Sequence, residues 1–97
     1  MAYNDLRMDN QWLPFTPNRA FKKDPRVFVA ADGMEFTTHD GRKVIDGISS
    51  LWCVGAGHNR KPINEAIKKQ LDTLDYATAF QVSNDKAFKA AEMIAAM

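Results

Sequence analysis

Cys53, His39 and His58 are the side chains whose types could ligate a metal or build a nucleophile, so their spacing is weighed first. A structural zinc site takes four ligands in short paired spacings, and these three residues match no such pattern. No metal site is expected. A Cys53–His58 nucleophilic pair would need a third group to orient the base, and nothing in the sequence identifies one. A cysteine between Trp52 and Val54 reads more simply as a small buried apolar residue. Gly55-Ala56-Gly57 invites a dinucleotide-binding reading, but position 60, where a third glycine would stand, is Arg60. No convincing strand leads into it, and the acid at the right distance, Asp75, falls in a connector. The small residues instead permit close backbone packing beside Trp52. Lys22-Lys23 and Lys68-Lys69 are isolated basic pairs of the kind that sit solvated on a surface.

The chain around these residues has 97 positions, 45% apolar and 26% charged, the profile of an ordinary globular segment. Thirteen basic and twelve acidic side chains leave a net charge of +1, which gives no electrostatic reason to expect nucleic acid or an anionic membrane as partner. Apolar runs such as Val27-Phe28-Val29-Ala30-Ala31 are far too short to span a bilayer. The first ten residues carry no apolar leader pattern. One cysteine cannot make an internal disulfide and fits a reducing compartment, so a cytoplasmic location is expected.

The elements that must position these groups follow from local pattern. The first 25 residues read as an irregular arm, because Pro14 and Pro17 resist both helix and central strand. Its aromatics, Trp12, Phe15 and Phe21, should pack on something. Arg26–Ala31, Met34–Thr38 and Lys43–Asp46 read as three strands of a meander, punctuated by Asp32-Gly33 and Asp40-Gly41. Ile48 to Gly57 reads as a buried loop or a short turn of helix. Pro62 then opens a helix with Ile63, Ala66, Ile67, Gln70, Leu71 and Leu74 on one face. After a connector at Asp75–Val82, Ser83 or Asn84 caps a second helix that should bury Ala87, Phe88, Ala91, Ile94 and Ala95. No glycine, asparagine or proline follows that helix before Met97, so truncation is expected. The class is α+β: a three-stranded antiparallel meander plus helices. No βαβ crossover is visible.

One constellation is more specific. Leu51-Trp52-Cys53-Val54 followed by Gly55-Ala56-Gly57-His58 resembles the early signature of the class III aminotransferases, in the β-alanine–pyruvate and ω-amine–pyruvate group. Trp12-Leu13-Pro14-Phe15-Thr16 is similar to that family's arm motif, and Asp24-Pro25-Arg26 precedes the first strand as it does there. Asp40-Gly41-Arg42-Lys43-Val44-Ile45-Asp46 resembles its hairpin, and Gln70-Leu71-Asp72-Thr73-Leu74-Asp75-Tyr76 its helix end. The likeness runs from about residue 11 to the end. Ser50 departs from it, standing where the family most often has glycine, as does Ser83-Asn84-Asp85 before the last helix.

The resemblance implies the N-terminal segment of a pyridoxal-phosphate-dependent transferase with the aspartate aminotransferase-like fold. Residues 1–60 would give the arm, meander and pocket loop of the small domain, and 61–97 the start of the large cofactor domain. The complete enzyme would move an amino group from a β- or ω-amino acid or amine to pyruvate, as a homodimer, with pyridoxal 5'-phosphate as cofactor. The lysine, aspartate and phosphate-binding loop that hold that cofactor have no counterpart here, so this segment alone is expected to be inactive. Three positions carry over as substrate-pocket residues: Phe15 and Trp52 as walls of the site, and Phe80 in an aromatic-rich stretch that reaches toward the partner subunit's site. Plain core aromatics remain the other reading of all three. A free-standing α+β interaction module with a fortuitous motif match remains the other reading of the chain.

Overall fold

The computed structural model describes residues 7–97. The opening residues 1–6, part of the stretch read for a leader, lie outside them. The chain divides into two units, Met1–Arg60 and Lys61–Met97.

In the first unit the arm leads into a short helix, α1 (Asn18–Lys23), that the proline argument did not anticipate. Both prolines precede it, and Asn18-Arg19-Ala20-Phe21-Lys22-Lys23 contains no breaker. Asn18 is the keystone of the arm. Its Oδ1 accepts from the Leu13 N–H at 2.8 Å, while its Nδ2 donates to the Leu13 and Thr16 carbonyls, both at 2.9 Å. This buried amide supplies the partners that a proline-rich backbone cannot find in a ladder.

The sheet follows in the expected order, antiparallel throughout: β1 (Phe28–Asp32), β2 (Glu35–Thr38) and β3 (Lys43–Ile45). The strands are shorter than their sequence signals. β2 stops at Thr38, where the chain turns, so Arg26 falls outside the ladder and Val27 keeps one bond, its carbonyl accepting from the His39 N–H at 2.8 Å. Asp46 leaves β3 for a different task. Its N–H donates to the Met34 carbonyl at 2.8 Å, closing the end of the meander over the first hairpin. Between Phe28 and Ala30 the register shifts by a bulge, and the Phe28 and Phe36 rings stack with centroids 4.1 Å apart.

The second unit holds α3 (Lys61–Leu71), a connector and α4 (Asp85–Ala95). α3 begins one residue before Pro62, and Leu74 lies beyond its last turn. Asn84 provides the cap of α4, its Oδ1 accepting from the Ala87 N–H at 3.0 Å. The apolar faces expected to be buried are exposed: Ile63, Ile67 and Leu71 on α3, Phe88 and Ile94 on α4. Within the unit no second layer packs over either helix. Among the described residues of the whole chain the buried side chains are two polar ones, Asn18 and Thr38, and no apolar one.

Candidate functional site: a left-handed turn pinned to the sheet

The stretch between Asp46 and His58 is held from below. After β3 the chain enters α2 (Ser49–Trp52), a single turn built with the wrong hand for L residues. Ser49, Ser50, Leu51 and Trp52 have φ of 50°, 47°, 61° and 69°. Each non-glycine residue in that region costs roughly 1–2 kcal/mol because Cβ crowds the following carbonyl. Bonds within the turn offset part of this: the Trp52 N–H donates to Ile48 at 3.0 Å, and the Cys53 and Val54 N–H groups both donate to Ser49, at 2.9 and 3.0 Å.

A further contribution comes from one carboxylate. Asp46 Oδ1 accepts from the Ser50 N–H at 3.0 Å and the Ile48 N–H at 3.3 Å. Asp46 Oδ2 accepts from the Ser50 hydroxyl at 3.0 Å and from His58 Nε2–H at 2.7 Å. The Asp46 and His58 side chains are only 4% and 12% exposed, so water does not replace these partners. The Ser50 backbone N–H, with the His58 ring next, pushes the Asp46 carboxyl down to about 2 against the opposing effect of burial. It is a carboxylate at any ordinary pH.

His58 is fixed in turn by the hairpin. Its N–H donates to the Gly33 carbonyl at 2.8 Å, the Gly33 N–H donates back at 3.1 Å, and its ring tilts against Phe36 at 4.5 Å. This close crossing explains Gly57. With φ at 92° it takes a conformation L side chains avoid, and an added Cβ would meet the Gly33 oxygen at 3.3 Å. Within the Gly55-Ala56-Gly57 run it is Gly57 that serves backbone approach, and it approaches Gly33; an added Cβ at Gly55 would meet nothing within 4 Å. His58 is a structural partner of Asp46, and Cys53 is exposed, with its thiol turned toward the Leu51 carbonyl. Among the described residues no group of three His, Cys, Asp or Glu comes together to hold a metal.

What the turn presents is apolar. Leu51 and Trp52 both stand exposed, Trp52 at 86%, so the expectation of a buried loop is corrected within this chain. The turn's polar atoms face the Asp46 carboxylate, and among the described residues no apolar side chain is buried. Phe15, at 108%, is likewise exposed on a left-handed residue of the arm, with φ of 50°. Neither ring stacks on another aromatic among the described residues. Phe80 belongs to the second unit, where it is 87% exposed beside Gln81, itself at φ of 63°. Sequence reasoning met Asp46, Ser50 and His58 only as motif positions, and His58 also as a rejected ligand or base; it missed that the three bond to one another. An Asp-Gly pair ending a strand is a signal for a side chain bonding two residues on, which is what Asp46 does to Ile48.

Pyridoxal phosphate requires an enclosed lysine amine and an acid against its ring nitrogen. Here Lys43, Lys68, Lys86 and Lys89 are exposed and tied to Thr37, Glu65, Asp85 and Glu92. Lys23, Lys61 and Lys69 are exposed as well, and Lys22 is half-buried. The donor set of this chain does not form that cradle.

Residues 18–97 match the family Aminotransferase class-III. Over 94 residues the chain is 49% identical to the beta-alanine–pyruvate aminotransferase of Pseudomonas aeruginosa, covering 97% of this chain and 21% of that protein. It is 50% identical over 91 residues to the omega-amino acid–pyruvate aminotransferase of Pseudomonas putida, covering 94% of this chain and 20% of that protein. A PLP-bound amine transaminase from an uncultivated Pseudomonas species superposes with a TM-score of 0.80 at 33% identity, covering 94% of this chain and 21% of that one. The three-stranded antiparallel sheet with helices is thus the fold of the matching segment of known transaminases. This chain belongs to the class-III aminotransferase family, and it spans about a fifth of the length of these relatives. The motif match is not fortuitous, and the interaction-module reading falls with it.

Proposed function

We propose that this chain is the N-terminal part of an aminotransferase that moves an amino group from a β- or ω-amino acid or amine, such as β-alanine, to pyruvate. The observation that carries the reading is identity near one half, over almost the whole chain, to relatives named for β-alanine or ω-amino acid and pyruvate. Pyridoxal phosphate would be held by parts of a longer protein and would supply the electron sink for the transfer. Met1–Arg60 would belong to the small domain and Lys61–Met97 to the start of the large one. Family likeness supports a homodimer, and the lone free cysteine supports a cytoplasmic setting.

In this reading Phe15 and Trp52 wall the substrate site, and Phe80 reaches toward the site of a partner subunit. The family likeness of these positions supports this; among the described residues the chain buries no apolar side chain, so exposure singles none of them out. An apolar wall holds the donor's carbon skeleton and keeps water from the reacting carbon. Trp52→Gly in the full-length, cofactor-loaded protein tests it, with β-alanine and a bulky arylalkylamine as alternative donors and pyruvate as acceptor. The ratio of kcat/KM should move toward the bulky amine by about 10- to 200-fold. A lower melting temperature with an unchanged donor ratio would defeat the pocket assignment, and no transfer from any amine to pyruvate in the parent protein would defeat the function.

A further inference from the structure

Trp52 owes its direction to groups that stand apart from it in sequence. The four consecutive left-handed residues of α2 would relax toward the right-handed region if nothing opposed it. Relaxation would swing the Cα–Cβ bonds of Leu51 and Trp52 to new headings. What opposes it is the Asp46 carboxylate, which takes the Ser50 N–H, the Ser50 hydroxyl and the Ile48 N–H while its fourth bond ties it to His58. His58 is anchored by its paired backbone bonds to Gly33 and by Phe36, which stacks on Phe28. Rigidity therefore passes from the sheet to His58, to Asp46, to Ser50, and out to the two apolar side chains.

We propose that Asp46, braced by His58, is a positioning residue for donor specificity: it holds Ser49–Trp52 in the left-handed turn that aims Leu51 and Trp52 at the substrate. The proposal rests on Trp52 being a pocket wall. Ser50 is the member whose substitution is most telling. Its hydroxyl adds a bond that offsets the strain of its own Cβ, so Ser50→Ala keeps the strain and loses the bond. Ser50→Gly loses the same bond but removes the strain. If the turn's hand is what matters, glycine is tolerated and alanine is not.

The experiment uses the full-length, cofactor-loaded enzyme carrying this segment, with kcat/KM measured for β-alanine and for a bulky arylalkylamine. Asp46→Ala should shift the donor ratio toward the bulky amine by about tenfold, in the direction of Trp52→Gly, because a misdirected wall loses part of its discrimination. Ser50→Ala should move it the same way by less, and Ser50→Gly should restore the parent ratio. In a Trp52→Gly background Asp46→Ala should add nothing, since the side chain it aims is gone. An unchanged ratio in Asp46→Ala overturns the proposal. Trp52→Gly, measured beside it, then shows whether the pocket reading fails as well or survives alone. Where Asp46→Ala does not fold, the two Ser50 variants decide: equal ratios for alanine and glycine overturn it.

Discussion

The two units reach order by different routes. In Met1–Arg60 the decisive bonds join residues far apart in sequence: Asp46 to His58, Gly33 to His58, and three paired strands. In Lys61–Met97 the bonds that fix the backbone are those of two helices, a cap four residues wide or less, and side-chain pairs at three-residue spacing such as Lys68–Glu65 and Lys89–Glu92. Strained backbone collects where non-local bonds can hold it, as in Ser49–Trp52. The helices carry no such run. The comparison teaches that a run of unfavourable backbone needs non-local bonds to hold it, while the helical unit offers apolar faces whose order is local.

Acid should separate the two most sharply, because Asp46 gathers four donors onto one carboxylate. A carboxyl lowered from 3.8 to about 2 contributes stability that is complete above about 3.8 and is lost as pH falls through about 2. The carboxyl carbon resonance of Asp46, followed by NMR, should titrate near 2, and the Ser50 amide should move with it. A midpoint near 4 would mean that the turn is not held by this group.

Next in size is Asn18→Ala, which removes three bonds from a buried amide and leaves the Leu13 N–H and two carbonyls without it. It should cost about 1–3 kcal/mol in denaturant unfolding of the protein carrying this segment. A loss under about half a kcal/mol would show that the arm is ordered by something other than Asn18. The smallest effect belongs to the helical unit. Asn84→Ala deletes one cap bond at an exposed helix start and should cost about 1 kcal/mol, with Asn84→Ser close to neutral. If Asn84→Ala proved worse than Asn18→Ala, the division between cross-linked and local order would be misplaced.

Most of the element order was legible because its signals are local. Asp32-Gly33 and Asp40-Gly41 mark turns through glycine's access to positive φ, and both glycines are found there, at 57° and 86°. Ser83 or Asn84 read as a cap because a short polar side chain before a helix meets the first free N–H groups, and Asn84 is the one that does so. α1 was hidden behind the two prolines that precede it. The motif order also carried the family, because a run such as Leu51-Trp52-Cys53-Val54 is specific in chemical type even where its conformation is unknown.

The sequence by itself, then, determined the order of the strands and of the two long helices, the positions of the turns, the cap to within one residue, and the kinship of the chain. The hand of the Ser49–Trp52 turn, the exposure of Phe15, Trp52 and Phe80, and the joint role of Asp46, Ser50 and His58 were decided only by the tertiary structure. The physical reason is range. A turn or a cap is an interaction between residues two to four apart, whereas a left-handed run of L residues is unfavourable locally and exists here because a carboxylate twelve residues before a histidine is held against it by the sheet.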